Sequence, residues 1–328
     1  MASGQPVASP ADWRLRRLEL QQLALELVYG PLPPPPTTVH ADLLHEATVP
    51  DGTGVRVRTY RVRADAGHAL VLRVLLPRGD GPFPVLLYGD SCWAYASDAV
   101  RERFLAAGYA WAEFNRVEIM SDPAPGTGLP QCCDALRGFA GGAIAAWAWG
   151  FQRAVDALLQ CPELDPQGLA VLGHSRGGKA ALLAGALDER IALTSANNSG
   201  AGGAGSFHCL GEGAETLADI VDGFGHWLSP ELTRFKGRED ELPFDQHFLK
   251  ALIAPRYLLT TESLDDLWAN PSGSWASHQA AQQAYDFLDA SSRIAIAFRR
   301  GAHAHAAADW HTLLLHMNAA FKAEALPV

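Results

Sequence analysis

The sequence predicts an α/β fold: a mostly parallel central sheet with helices on both faces and a small cap excursion. Three observations carry that expectation. Short apolar runs alternate with helical patterns along most of the 328 residues, the order that gives parallel strands joined by crossover helices. One of these units reads strand, tight turn, helix, from the apolar run Leu169 to Leu172 through Gly173-His174-Ser175-Arg176-Gly177 into a helix beginning near Lys179. Hydrophobic residues make up 48% of the chain and charged residues 19%, enough for a large core and unlike a disordered chain.

Taken in order, residues 1–10 read as a loose tail. Asp12 is placed to cap a helix from Trp13 to about Tyr29, with leucines at helical spacing. Gly30 and the prolines that follow it up to Pro36 stop that helix and make a stiff connector. Residues 1–36 therefore read as an N-terminal appendage and 37–328 as a single catalytic-size domain. Residues 54–63 and 69–76 alternate in polarity and predict an antiparallel start to the sheet. Val85 to Tyr88 reads as a buried strand ending in Gly89-Asp90-Ser91, Asp98 to Ala107 as a helix, and Tyr109 to Phe114 as the next strand.

Residues 119–134 are rich in proline and glycine and read as a surface loop. Ala140 to Leu159 predicts a long helix whose Trp147, Trp149 and Phe151 belong to the core. After the strand–turn–helix unit comes a strand from Ile191 to Ser195, then a glycine-rich path, Asn197 to Gly205, able to approach the turn closely. Residues 206–250 form an excursion of short helices, read as a cap. Arg256 to Thr261 is a strand leading to Asp265 and Asp266, Ser274 to Leu288 a helix, and Ile294 to Phe298 a last strand leading to His303 and His305. A closing helix starts near Ala308.

Several function classes are disfavoured by composition. The formal net charge of -10 argues against a nucleic-acid partner. No apolar run is long enough to span a bilayer. The N-terminus lacks a basic region followed by an apolar one, so no signal peptide is expected; the protein is then cytoplasmic, or exported with its leader removed. The five cysteines have neither disulfide-framework nor zinc-site spacing. No cofactor and no metal are expected, since His303-Ala-His305 lacks a well-spaced third ligand.

The chemistry gathers around Ser175. Gly-x-Ser-x-Gly between a strand and a helix is a nucleophile elbow, in which a strained turn lifts the serine above the sheet. A serine hydroxyl needs a base, and the base needs an orienting group. In α/β-hydrolases these follow in the order serine, acid, histidine. Here Asp265 or Asp266 follows one strand, and His303 or His305 follows the last. Gly89-Asp90-Ser91 occupies the usual place of a second oxyanion amide. His174, inside the elbow, reads as a packing residue. Arg176 and Lys179 put two cations within one turn of the serine. They either pair with nearby carboxylates or line the acyl pocket, where a guanidinium can stabilise an oxyanion.

Further motifs make the chain recognisable. Gly173-His-Ser-Arg-Gly-Gly-Lys179, Asp188-Glu-Arg-Ile, Asn197-Asn-Ser-Gly-Ala-Gly-Gly203, Glu215-Thr, His226-Trp227, Gly237-Arg-Glu-Asp-Glu-Leu-Pro243, Asp266-Leu-Trp268 and, upstream, Phe114-Asn-Arg116 resemble the glucuronoyl esterases of carbohydrate esterase family 15, especially the bacterial branch. The resemblance implies an α/β-hydrolase fold and metal-free hydrolysis of (4-O-methyl-)glucuronoyl esters that link glucuronoxylan to lignin alcohols. It implies Ser175 as nucleophile, His303 as base, Arg176 at the oxyanion, and Lys179, Glu215 and Trp268 against the sugar. Many members place the acid where this chain has Asn198; some bacterial members use the position of Asp266 instead. The alternative function is a general acyl or acetyl esterase with the same triad. A third is a polysaccharide-binding protein that has lost catalysis, which the intact serine and histidine argue against.

Overall fold

The computed structural model describes residues 4–65, 67–124 and 127–324. Helix α1 spans Pro10–Leu23 and continues as a π-helical stretch over Ala24–Tyr29. It starts earlier than the expected Trp13. Ser9, rather than Asp12, is the N-cap and accepts from the Asp12 amide. Pro10 then fits the first helical turn, where no amide is needed, and the Asp12 carboxylate turns back onto Ser9 Oγ and the Ala8 amide.

Strands β1 (Val39–Thr48), β2 (Arg56–Ala64) and β3 (Gly67–Leu76) make an antiparallel meander. The sequence marks β2 and β3 but not β1. Most β1 side chains face solvent, so no apolar alternation distinguishes that strand. The remaining strands are β4 (Phe83–Tyr88), β5 (Ala110–Phe114), β6 (Leu164–His174), β7 (Leu193–Asn197), β8 (Tyr257–Ser263) and β9 (Ile294–Arg299). They complete a nine-stranded sheet in the order β1-β2-β3-β5-β4-β6-β7-β8-β9. From β5 to β9 every pairing is parallel.

Helices cover both faces, as expected. Helices α2 (Asp98–Ala106) and α8 (Ala307–Lys322) pack Phe104 and Trp310 with Tyr88 and Trp111 of the sheet. Helices α3 (Ala143–Leu158), α4 (Arg176–Leu187) and α7 (Pro271–Phe287) share the opposite, larger core. Trp147, Trp149 and Phe151 are buried in it. Burial of a large apolar side chain contributes roughly 1.5–3 kcal/mol, so α3 is among the main anchors of this layer. The 206–250 excursion contains α5 (Leu217–Phe224) and α6 (Gln246–Ala251).

The expected surface loop at 119–134 is only partly one. Ile119, Met120 and Cys133 are buried, and Trp147 Nε1 donates to the Met120 carbonyl at 2.8 Å. Tertiary contacts with α3 draw the ends of the segment inward, against its polar composition. Residues 125 and 126 of that segment lie outside the described residues, as do residues 1–3 of the expected N-terminal tail.

The strand order reverses beside β4, and parallel strands then bring the loops after β6, β7, β8 and β9 to one edge. That edge is where open α/β sheets place their sites. The turn after β6 is tight. A Cβ on Gly173 would lie 2.1 Å from the Gly177 carbonyl oxygen, and one on Gly177 would lie 2.2 Å from Asp90 Oδ1. Backbone atoms cannot yield as a side-chain tip can. Gly173→Ala is therefore expected to lose about 1–3 kcal/mol through overpacking, read as a lowered Tm with lost activity. An unchanged Tm would mean that the turn yields freely.

Candidate active site

Ser175 sits at the apex of the turn with φ 55° and ψ -124°. A non-glycine residue held in such a region costs on the order of 1–3 kcal/mol, and surrounding contacts must hold it there. Its amide donates to the Asn197 carbonyl at 2.8 Å, which ties the turn to the end of β7. Helix α4 begins at the next residue, so unpaired amides of its first turn lie close to the serine.

The two carboxylates after β8 part company. Asp266 is buried, and its Oδ2 lies 2.5 Å from His303 Nδ1. Asp265 is exposed and accepts from the Gly301 amide at 2.7 Å and Arg300 at 2.9 Å. Those bonds, the amide first, hold its carboxyl below the ordinary value. The two histidines part similarly. His303 faces the cavity, whereas His305 is stacked on Trp310 with ring centroids 3.8 Å apart. Asp309 and His311 are engaged elsewhere, by Arg299 and Arg103.

Ser175, His303 and Asp266 line one cavity of about 290 Å³, together with Arg176, Lys179, Glu215 and Trp268. All seven site residues expected from the sequence are thus brought together. Phe224 and Trp227 of the excursion complete its wall. Trp268 is half-exposed at the rim. Lys179 is buried, and its Nζ donates to the carbonyls of Ser199 (2.8 Å) and Ala201, with Glu215 Oε2 at 3.6 Å. An ammonium has three donors, so at most one of them remains for a ligand. The loop after β4 contributes differently from expectation. None of residues 89–91 lines the cavity; the buried Asp90 carboxylate instead receives the His174 amide at 3.0 Å from beneath the turn.

Asp122 is a site residue that sequence patterns do not reveal. It lies in the segment expected to be a surface loop, yet its side chain is only 2% exposed. It accepts from Arg176 at 2.9 Å. A lone aspartate before a proline carries no motif, and its burial comes from contacts with the excursion.

His174 packs against His303. Its ring lies 4.7 Å from that of His303, and its Nδ1 is 2.5 Å from Asn197 Oδ1. Burial drives its pKa down to about 4, so it stays neutral beside His303 near pH 7.

A strand–elbow–helix with serine at its apex, and a histidine–aspartate pair on neighbouring strand-end loops, define an α/β-hydrolase. The family model described as fungal glucuronyl esterase matches residues 64–289, and the chain belongs to the glucuronyl esterase family. A 4-O-methyl-glucuronoyl methylesterase of Podospora anserina is 31% identical over 302 residues, covering 88% of this chain and 59% of that protein. The chain thus spans about three fifths of that relative's length. A carbohydrate esterase family 15 glucuronoyl esterase from Caldicellulosiruptor kristjansonii superposes with a TM-score of 0.84 at 30% identity, covering 98% of this chain and 89% of that one. A glucuronoyl esterase mutant from Sporotrichum thermophile, in complex with methyl 4-O-methyl-β-D-glucopyranuronate, superposes with a TM-score of 0.81 at 25% identity, covering 100% and 87%.

The His174 shift has a consequence for stability. Its folded-state pKa, about 4, lies below the ordinary 6.5, so the unfolded chain takes up the proton first as pH falls. The stabilisation is complete above pH 6.5 and is lost as pH falls towards 4. Burial shifts His278 over the same window. His174→Gln is expected to flatten the fall of Tm across that window, measured by calorimetry. Identical slopes for both proteins would place the acid sensitivity elsewhere.

Proposed function

We propose that this chain is a serine carboxylic-ester hydrolase that cleaves glucuronoyl esters, with or without the 4-O-methyl group, through Ser175, His303 and Asp266. The observation that carries this reading is the convergence of an elbow serine, a carboxylate-paired histidine and Arg176 on one cavity. Membership of the glucuronyl esterase family, and the substrate analogue bound by a structural relative, support the acyl group.

In the proposed mechanism Ser175 Oγ attacks the ester carbonyl while His303 takes its proton. Asp266 accepts from His303 Nδ1–H and stabilises the imidazolium that forms. Negative charge develops on the carbonyl oxygen, where the Arg176 guanidinium and the first amides of α4 offset it. The intermediate collapses as His303 protonates the departing alcohol, leaving a glucuronoyl ester on Ser175. Water, deprotonated by His303, then releases uronate and restores the serine.

The wall suits a sugar acid. The ester is neutral when it binds, so it calls for hydrogen-bonding partners more than for a free cation. Glu215 offers acceptors to hydroxyls. Lys179 holds the glycine-rich loop in place with two donors and shares its third between Glu215 and a ligand. Trp268 offers an apolar face at the rim, as pyranose rings favour.

Hydrolysis of methyl or benzyl glucuronate, measured beside p-nitrophenyl acetate, tests the proposal. Glucuronate release should dominate, and Ser175→Ala should reduce kcat by on the order of 10⁶-fold without lowering Tm substantially. Acetate release alone would move the function to the general acyl esterase. Asp266→Asn should reduce kcat by about 10⁴-fold, as a triad with the wrong histidine tautomer does, and Asp265→Asn far less. The reverse order would exchange their roles. Lys179→Ala should harm the uronate ester more than the aryl acetate.

A further inference from the structure

Asp122 takes no part in the proposed bond-making, yet three donors from two separate elements converge on it. Its Oδ2 accepts from Arg176 at 2.9 Å, and its Oδ1 accepts from Trp227 Nε1 at 2.8 Å and stands 3.1 Å from His226 Nε2. Arg176 follows the nucleophile, whereas His226 and Trp227 belong to the excursion. A second guanidinium, that of Arg116, lies 3.7 Å from Oδ2. Arg116 also donates through Nε to Asp90 at 2.7 Å and lies 4.2 Å from the Trp147 ring centroid.

These contacts form a chain of alternating charge: Asp90, Arg116, Asp122, Arg176. Its first member receives the His174 amide and its last is Arg176, so it begins and ends on the two neighbours of Ser175. Asp90, Arg116 and Asp122 are each at most 2% exposed in their side chains, while Arg176 is 33% exposed. Only the last member reaches the cavity. Arg176 is further seated over aromatic rings, 4.8 Å from Trp227 and 5.7 Å from Phe224.

A guanidinium on a flexible stem has many rotamers, and an oxyanion donor is effective only if it needs no reorganisation when charge develops. One bond from Asp122 uses a single face of the fork and leaves the other donors for the cavity. Burial opposes ionisation of Asp122, but its bonds to Arg176, Trp227 and His226 outweigh that and keep its carboxyl below the ordinary value. The anchor is therefore charged whenever the enzyme works near neutrality.

We propose that Asp122 is a positioning residue for hydrolysis, holding Arg176 in its oxyanion-binding orientation and coupling that orientation to the cap through His226 and Trp227. This rests on the reading that Arg176 stabilises the oxyanion.

The test is a double-mutant cycle on methyl glucuronate with kcat, KM and Tm recorded for each protein. Arg176→Ala should lower kcat about 10²–10³-fold, the usual loss for one oxyanion donor. Asp122→Asn keeps the size and one acceptor, and should lower kcat roughly 10–100-fold with KM within about threefold, as expected when an interaction specific to the transition state is lost. The double variant should be no worse than Arg176→Ala within about threefold, because Asp122 then has nothing left to orient. If Arg176→Ala leaves kcat intact, the oxyanion reading fails and this inference falls with it. If Arg176→Ala is costly but Asp122→Asn is harmless, or its loss multiplies in the double variant, the positioning role alone is overturned. Should Asp122→Asn not fold, His226→Ala carries the same cycle. It removes one of the groups that fix the carboxylate, and its kcat should fall several-fold only while Arg176 is present.

Discussion

The backbone of Ser175 is the constraint on which the rest of the structure depends. A positive φ at a non-glycine residue is a conformation the chain leaves unless its surroundings forbid it. Here they do so from three sides. Asn197 fixes the serine amide from the neighbouring strand, Asp90 fixes the His174 amide from below, and Gly173 and Gly177 leave no room for the turn to relax. The nine-stranded sheet, whose central strands are covered by a core on each face, is rigid enough to hold these three constraints in register. Strain at one residue is thereby sustained by packing spread over the whole domain.

Charge is placed around that turn by depth. Asp90, Arg116 and Asp122 lie buried as a run of opposite signs. Removing one partner of a buried pair leaves the other uncompensated, typically a loss of about 3–5 kcal/mol. The ring that packs against the proposed base is, by contrast, kept neutral. Burial depresses His174, so it presents no positive charge to His303 near pH 7, and burial likewise depresses His305, which lies against His174. Asp266 is then the carboxyl group in direct contact with the His303 imidazole. The site combines ionised groups where geometry must be fixed with neutral rings where a charge must come and go.

Much of this was legible in the sequence because local patterns encode it. Strand, glycine-flanked serine and helix occur consecutively, so the elbow needs no tertiary information to be seen. The acid and base were legible as pairs, Asp265 or Asp266 and His303 or His305, because strand ends bring such residues to one edge. Which member of each pair enters the site is decided by tertiary contacts: Arg300 and Gly301, distant in sequence, capture Asp265, and Trp310 of the closing helix covers His305. Strand β1 escaped because its faces are largely solvated. Asp122 escaped for the opposite reason, since a polar, proline-rich composition conceals a side chain buried by the excursion. The π-helical end of the first helix has no sequence signal that we can identify.

Asn198 ties the ends of two neighbouring strands to the loop that carries His303. It occupies the position at which many relatives are expected to carry an acid. Here its Oδ1 accepts from the Ser263 amide at 2.6 Å, and its Nδ2 donates to the Ala304 carbonyl at 3.0 Å. A carboxylate could accept the first bond but has no proton for the second. The amide therefore stitches the end of β8, which leads to Asp266, to the loop that carries His303. Placing an acid at 198 would add a charge near the proposed base but release the backbone on which that base stands. With the amide at this position, the carboxylate that contacts His303 comes from the next strand end. The distance between Asp266 and His303 is thus set partly by a residue that carries no charge at all.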